Sequence, residues 1–264
     1  FFPVIGYHVR MEDYGKINDT INTVQGMRRK AGNEAIQHHL DEAHKHGIKV
    51  LMPLYPAVGE ELHGPNGIPY VREVVSNFKD HPAVIGWMIR DEPDIRGHAV
   101  EELAEVYREI RMLDPVHPTY MVIAGGSAYE NYFRVTDIAA TDIYPMPNGP
   151  ITRVGTGIDN ATNLFPEKPV YSILQTFQTA SYPYLPNITE VRHMAYQSIL
   201  EGAKAIGYYS YTDPNWDIQQ STLYPGLIDF MQKELSYISG FMLDGEQIDA
   251  YKDDQVRWGL WEHE

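Results

Sequence analysis

The sequence predicts an α/β fold, a (β/α)8 barrel of the TIM type, and three observations carry the prediction. Eight apolar runs of strand length recur between residues 3 and 211, nearly all followed by a segment of helical periodicity. No glycine-rich phosphate turn follows the first run, which argues against an open doubly wound sheet. Eight such units within about 240 residues favour closure. The barrel is assigned to residues 1–243 and a distinct tail to 244–264.

In chain order, the first strand is expected over 3–8 and the second over 22–26, with a short helix at 13–20 between them. An amphipathic helix with Ile36, Leu40 and Ala43 on one face stops at Gly47. The third strand spans 48–55, and a helix over 69–78 leads to the fourth, which starts at Val84. Residues 99–113 carry Val100, Leu103, Val106, Ile110 and Leu113 at helical spacing, and Asp114-Pro115 ends that helix. Strands five and six fall at 118–124 and 137–145. The segment 146–166, rich in Gly, Asn and Pro, is not assigned. Strand seven covers 169–177, a helix 189–202, strand eight 205–211 and a last helix 223–241. In the tail, residues 256–261 alternate like an edge strand, which either packs on the barrel or opens a further β domain.

Composition narrows the function. The chain has 264 residues, 43% hydrophobic and 22% charged, as in ordinary globular proteins. No apolar run approaches the roughly 20 residues of a membrane span. A net charge of −15 argues against nucleic acid or an anionic membrane as partner. The absence of cysteine removes disulfides, zinc-thiolate sites and thiol nucleophiles. The chain starts without Met or a signal pattern, which reads as a processed or trimmed piece. Sequons at Asn18, Asn160 and Asn187 point to glycosylated surface loops and a secreted or lumenal protein. The sequence assigns no oligomeric state.

In such a barrel the site forms where the strands end. Those ends carry His8, Gln25, Tyr55, Arg90, Asp91, Glu92, Asp142, Tyr144, Gln175, Tyr209, Tyr211 and Asp213, with Trp216 in the last loop. Aromatic faces stack on sugar rings, while carboxylates and amides hydrogen-bond hydroxyls, so the ring suits a carbohydrate. On the fourth strand an apolar run ends in Asp91-Glu92-Pro93. Pro93 stops the strand and biases Glu92 to an extended conformation. Two adjacent carboxylates at the mouth of a buried strand raise the pKa of at least one, which suits a general acid. His38, His39, His44 and His46 read as a solvated helix face, as do Glu101, Glu102, Glu105 and Glu109. Trp87 reads as core. No metal and no organic cofactor is expected.

The run 81–87 leading into Asp91-Glu92-Pro93 resembles the fourth strand of clan A glycoside hydrolases, the group of β-galactosidase, β-mannanase and cellulase-type catalytic domains. Asp142-Ile143-Tyr144-Pro145 and Gly207-Tyr208-Tyr209-Ser210-Tyr211 are similar to its sixth and eighth strands. The resemblance covers residues 3–243 and implies Glu92 as acid/base, with Asp91 where the family usually has an Asn bonding the substrate 2-hydroxyl. It also implies a nucleophilic Glu at the end of strand seven, where this chain has Gln175. A neutral amide forms no glycosyl ester, so the retaining two-carboxylate mechanism is not expected. Three readings stay open. Glu92 is the acid and Asp142 or Asp213 activates water, with inversion; or Asp91 orients an N-acetyl group that acts as nucleophile; or the barrel binds glycan without cleaving it.

Overall fold

The computed structural model describes residues 2–26, 31–244, 246–253 and 256–262. Eight parallel strands close into a barrel in the order of the chain. They are β1 (Val4–Gly6), β2 (Thr23–Gln25), β3 (Lys49–Pro53), β4 (Val84–Asp91), β5 (Thr119–Ile123), β6 (Ile138–Thr141), β7 (Val170–Gln175) and β8 (Ala205–Tyr209). The helices are α1 (Tyr14–Ile17), α2 (Asn33–Lys45), α3 (Ile68–Phe78), α4 (Val100–Leu113), α5 (Tyr129–Tyr132), α6 (Arg153–Leu164), α7 (Ile188–Leu200), α8 (Tyr224–Phe230) and α9 (Ser236–Asp244). Most strands and helices lie within a few residues of their expected positions. The unassigned stretch 146–166 holds α6, and the last helix is α8 and α9 joined by a π-helical turn, Met231–Leu235. Two short strands, β9 (Thr212–Asp213) and β10 (Trp216–Asp217), form a ribbon in the last barrel loop.

Side-chain alternation along the strands divides the core in two. Ile5, Tyr7, Leu51, Met88, Tyr120, Val122 and Ile173 fill the barrel interior. A larger layer between strands and helices holds Val24, Val50, Trp87, Ile89, Leu103 and Met194. Trp87 is fully buried there, its indole N–H donating to Asp114 at 2.8 Å. His39 and Glu109 depart from the solvated faces expected of them. His39 is buried edge-on to Tyr14, which pushes its pKa down to about 4 through desolvation. Glu109 is buried and takes a two-point hydrogen bond from Arg72 at 2.6 and 3.0 Å, tying α4 to α3.

The tail forms a hairpin, β11 (Glu246–Lys252) with β12 (Arg257–Glu262). Lys252 and Arg257 bind Glu201 just past α7, so the hairpin docks on the barrel's helical layer. The sequons do not all fall on loops. Asn160 lies inside α6, and Asn187 caps α7 with its side chain accepting from Glu190 N at 3.1 Å; Asn18 is exposed at the end of α1. No helix among the described residues is long and apolar enough to cross a membrane.

Candidate active site

Three non-glycine residues have left-handed backbone, His8 (φ 58°), Tyr55 (φ 41°) and Glu92 (φ 47°), and all three sit just past the ends of β1, β3 and β4. Each such residue costs about 1–3 kcal/mol and persists only where its surroundings impose it. Glu92 was expected to be extended ahead of Pro93. Its N–H instead donates to Val122 O at 2.9 Å, while Arg96 donates to its carboxylate and to the Asp91 carbonyl, each at 3.1 Å. The pairing to the neighbouring strand β5 and the contacts from Arg96 in the same loop outweigh the local preference and turn the Glu92 side chain into a pocket.

That pocket, about 290 Å³, opens at the C-terminal end of the barrel. Asp91, Glu92, Asp142 and Asp213 line it with Arg96. Asp142 directly follows β6, and its carboxyl hydrogen-bonds that of Glu92. Burial, the charges of Glu92 and Asp91 and this bond hold the Asp142 pKa well above the carboxylate range. Asp142 Oδ1 is buried with no partner among the described residues. Asp91 is pushed up to about 6 by burial and by the neighbouring Glu92. Beneath it, Tyr7 and Tyr120 share a hydrogen bond of 2.5 Å. Asp142, expected to activate water across the mouth, instead lies in hydrogen-bond contact with Glu92. That contact is closer than the separation of about 6.5–9.5 Å that inversion needs between the two carboxyls. Asp213 ends β9 in the ribbon just past β8, the strand opposite β4 in the closed eight-strand order, and accepts from Ser210 at 3.1 Å.

An aromatic wall completes the pocket. Tyr144 stacks on Tyr209 at 6.0 Å, and Phe177 meets Tyr144, Tyr182 and Tyr209 edge-on at 5.0, 5.3 and 5.4 Å. His8 packs edge-on against Tyr209 at 5.3 Å, and its Nδ1 is 4.0 Å from Asp213. Gln25 donates to the Tyr55 hydroxyl at 2.7 Å inside the barrel, beside the pocket rather than in it. Tyr7, Arg96, Phe177 and Tyr182 were not singled out from the sequence. Phe177 had a signal, an aromatic residue two positions beyond Gln175 on the same face; Tyr182 and Arg96 lie on loops and had none.

Four expected site residues point elsewhere. Gln175 is fully buried, accepting from Met146 N at 3.1 Å and donating to Met146 O at 3.2 Å, so it anchors the loop after β6. Arg90 donates to the Pro56 carbonyl outside the pocket. Tyr211 is buried against α8, because the chain leaves the barrel wall after Tyr209. Trp216 packs on the outer core with its indole N–H on Ser210 O at 2.9 Å.

No family model matches the sequence, and no curated protein does. Solved structures do match in fold. The chain is similar to a β-galactosidase from the psychrophilic Marinomonas ef1, with a TM-score of 0.71 and 12% identity over 92% of this chain and 60% of that one. It is also similar to an uncultured Clostridium sp. β-glucuronidase, with a TM-score of 0.62 and 13% identity over 88% of this chain and 50% of that one. A GH2 β-galacturonidase from Eisenbergiella tayi gives a TM-score of 0.61 and 14% identity, with 87% and 50% covered. The shared feature is the barrel. The chain spans 60% of the first of these proteins and half of the other two.

Proposed function

We propose that the protein is a glycoside hydrolase acting on a sugar without a carboxylate. The observation that carries this reading is the carboxyl pair of Asp142 and Glu92, hydrogen-bonded to each other and facing an aromatic wall across a pocket sized for one sugar ring. At about 290 Å³ the pocket sits at the lower end of the range for ligand cavities, about 300–1,000 Å³. The proton of the Asp142–Glu92 pair passes through Glu92 to the glycosidic oxygen as the C1–O bond breaks, leaving the pair one proton poorer. Water attacks C1 from the opposite face and loses its proton to Asp213, inverting the anomeric centre. Gln175, occupied by Met146, supplies no nucleophile. The β-glucuronidase and β-galacturonidase that share the fold are named for uronic acids. Here four carboxyl groups line the pocket and its guanidinium, Arg96, already binds Glu92, which disfavours an anionic ring.

A second reading, glycan binding without cleavage, rests on the same Gln175. Hydrolysis of 4-nitrophenyl glycosides of galactose, glucose and N-acetylglucosamine by the wild type, Glu92→Gln and Asp213→Asn separates the two. Turnover that falls about 100-fold or more in Glu92→Gln, with inversion seen by NMR, supports the hydrolase. Retention of configuration would reject Asp213 as the base. Binding with no turnover of any glycoside, equal in wild type and variants, would leave the binding protein.

A further inference from the structure

We propose that a second pocket beside the first is a leaving-group subsite selective for an anionic substituent, with Arg153 as its specificity residue; this rests on the hydrolase reading. The second pocket, about 570 Å³, shares Glu92, Asp142, Tyr144, Ser181 and Tyr182 with the first. The two carboxyl groups that handle the proton thus stand on the partition between two spaces. The inner space is floored by Tyr7, Val122 and Ile173 from the barrel interior, and holds the ring that is attacked. The outer space, walled by Ile95, Ile143 and Met146, receives what departs.

The two spaces differ in charge. The inner one holds Asp91 and Asp213 in addition to the shared pair, and its cation Arg96 is paired. The outer one adds Asn148 and Arg153, the first residue of α6. Arg153 folds over Gly149, where a Cβ would come within 2.9 Å of its Nη1. Its guanidinium has no hydrogen-bond or carboxylate partner among the described residues. Arg10, Arg72, Arg96, Arg111, Arg134, Arg192 and Arg257 each pair with a carboxylate, while Arg90 and Arg108, which do not among the described residues, lie outside this pocket. With 36 acidic residues against 21 basic ones, a guanidinium left without a carboxylate at the edge of a pocket stands out. Its planar fork of donors matches a carboxylate, sulfate or phosphate on the departing group.

The test uses Glu92→Gln protein, which retains a glycoside uncleaved, and calorimetric titration with paired ligands. These are the 4-carboxyphenyl and 4-carbamoylphenyl β-glycosides of galactose, glucose and N-acetylglucosamine, alike in shape and different in charge. The carboxylate member is expected to bind about fivefold tighter at low salt, since Arg153 is exposed. That preference shrinks as ionic strength rises. It is lost when Arg153→Gln is added and partly kept with Arg153→Lys. Equal affinity within each pair, or a preference that survives Arg153→Gln, overturns the subsite and leaves the hydrolase intact. Absence of binding by every glycoside overturns both.

Discussion

Replacing Gln175 by Glu restores the residue type that the resemblance leads one to expect, and the structure predicts that it harms the protein. Gln175 is fully buried, with its carbonyl accepting from Met146 N and its amide donating to Met146 O. A protonated Glu reproduces both bonds. An ionised one sets a charged oxygen against the Met146 carbonyl in a site without water contact, so folding keeps the carboxyl protonated. An unfolded Glu has a pKa of about 4.3, and holding the proton at pH 7 costs about 1.36 kcal/mol for each of about 2.7 pH units, roughly 3.5 kcal/mol. The folded pKa lies above the unfolded one, so Gln175→Glu matches the wild type below about pH 4. It then loses stability with rising pH until the folded carboxyl ionises. At pH 5 the loss is about 1 kcal/mol. Urea unfolding of both proteins at pH 5 and pH 7 measures this directly. A variant as stable as the wild type at both pH values, or one that hydrolyses a glycoside with retention, would refute the assignment of Gln175 as a loop anchor.

Three further outcomes follow from the same geometry. Asp91, pushed up to about 6, makes the native state less stable as pH rises from about 4 to 6; Asp91→Asn removes that dependence and is more stable at pH 7 by on the order of 2 kcal/mol, read by urea unfolding across pH. Asp114 accepts from the Trp87 indole at 2.8 Å, from His117 Nδ1 at 2.7 Å and from two backbone N–H groups at 3.1 Å; burial pushes its pKa up, and these bonds more than reverse that, lowering it. Its contribution is therefore present at neutral pH and lost as pH falls through the lowered pKa, so Asp114→Ala costs about 2–4 kcal/mol at pH 7 and less in acid, measured by the same titrations. Gly157→Ala places a Cβ 2.0 Å from Ile143 Cδ1, with an expected cost of about 1–3 kcal/mol in Tm-derived stability that Ile143→Ala in the same chain largely relieves.

The barrel was legible in the sequence because each strand is an apolar run and each long helix has an amphipathic period, both local patterns that burial enforces. Asp91 and Glu92 at the end of β4 were legible for the same reason, since an apolar run that meets charge marks a strand opening on solvent. What the sequence could not show was direction. Gln175, Tyr211 and Trp216 sit where a strand count puts them near the mouth. Met146 claims the first, the turn after Tyr209 swings the second outward, and Ser210 holds the third. The left-handed backbone of Glu92 opposes what Pro93 dictates locally, and only contacts to Val122 and Arg96 impose it. The partnership of Glu92 with Asp142, 50 residues later, is decided by barrel closure. Chain pattern set which residues form the wall. The side-chain directions at its rim, and hence the chemistry of the pocket, came from long-range hydrogen bonds and burial that exist only once the barrel is shut.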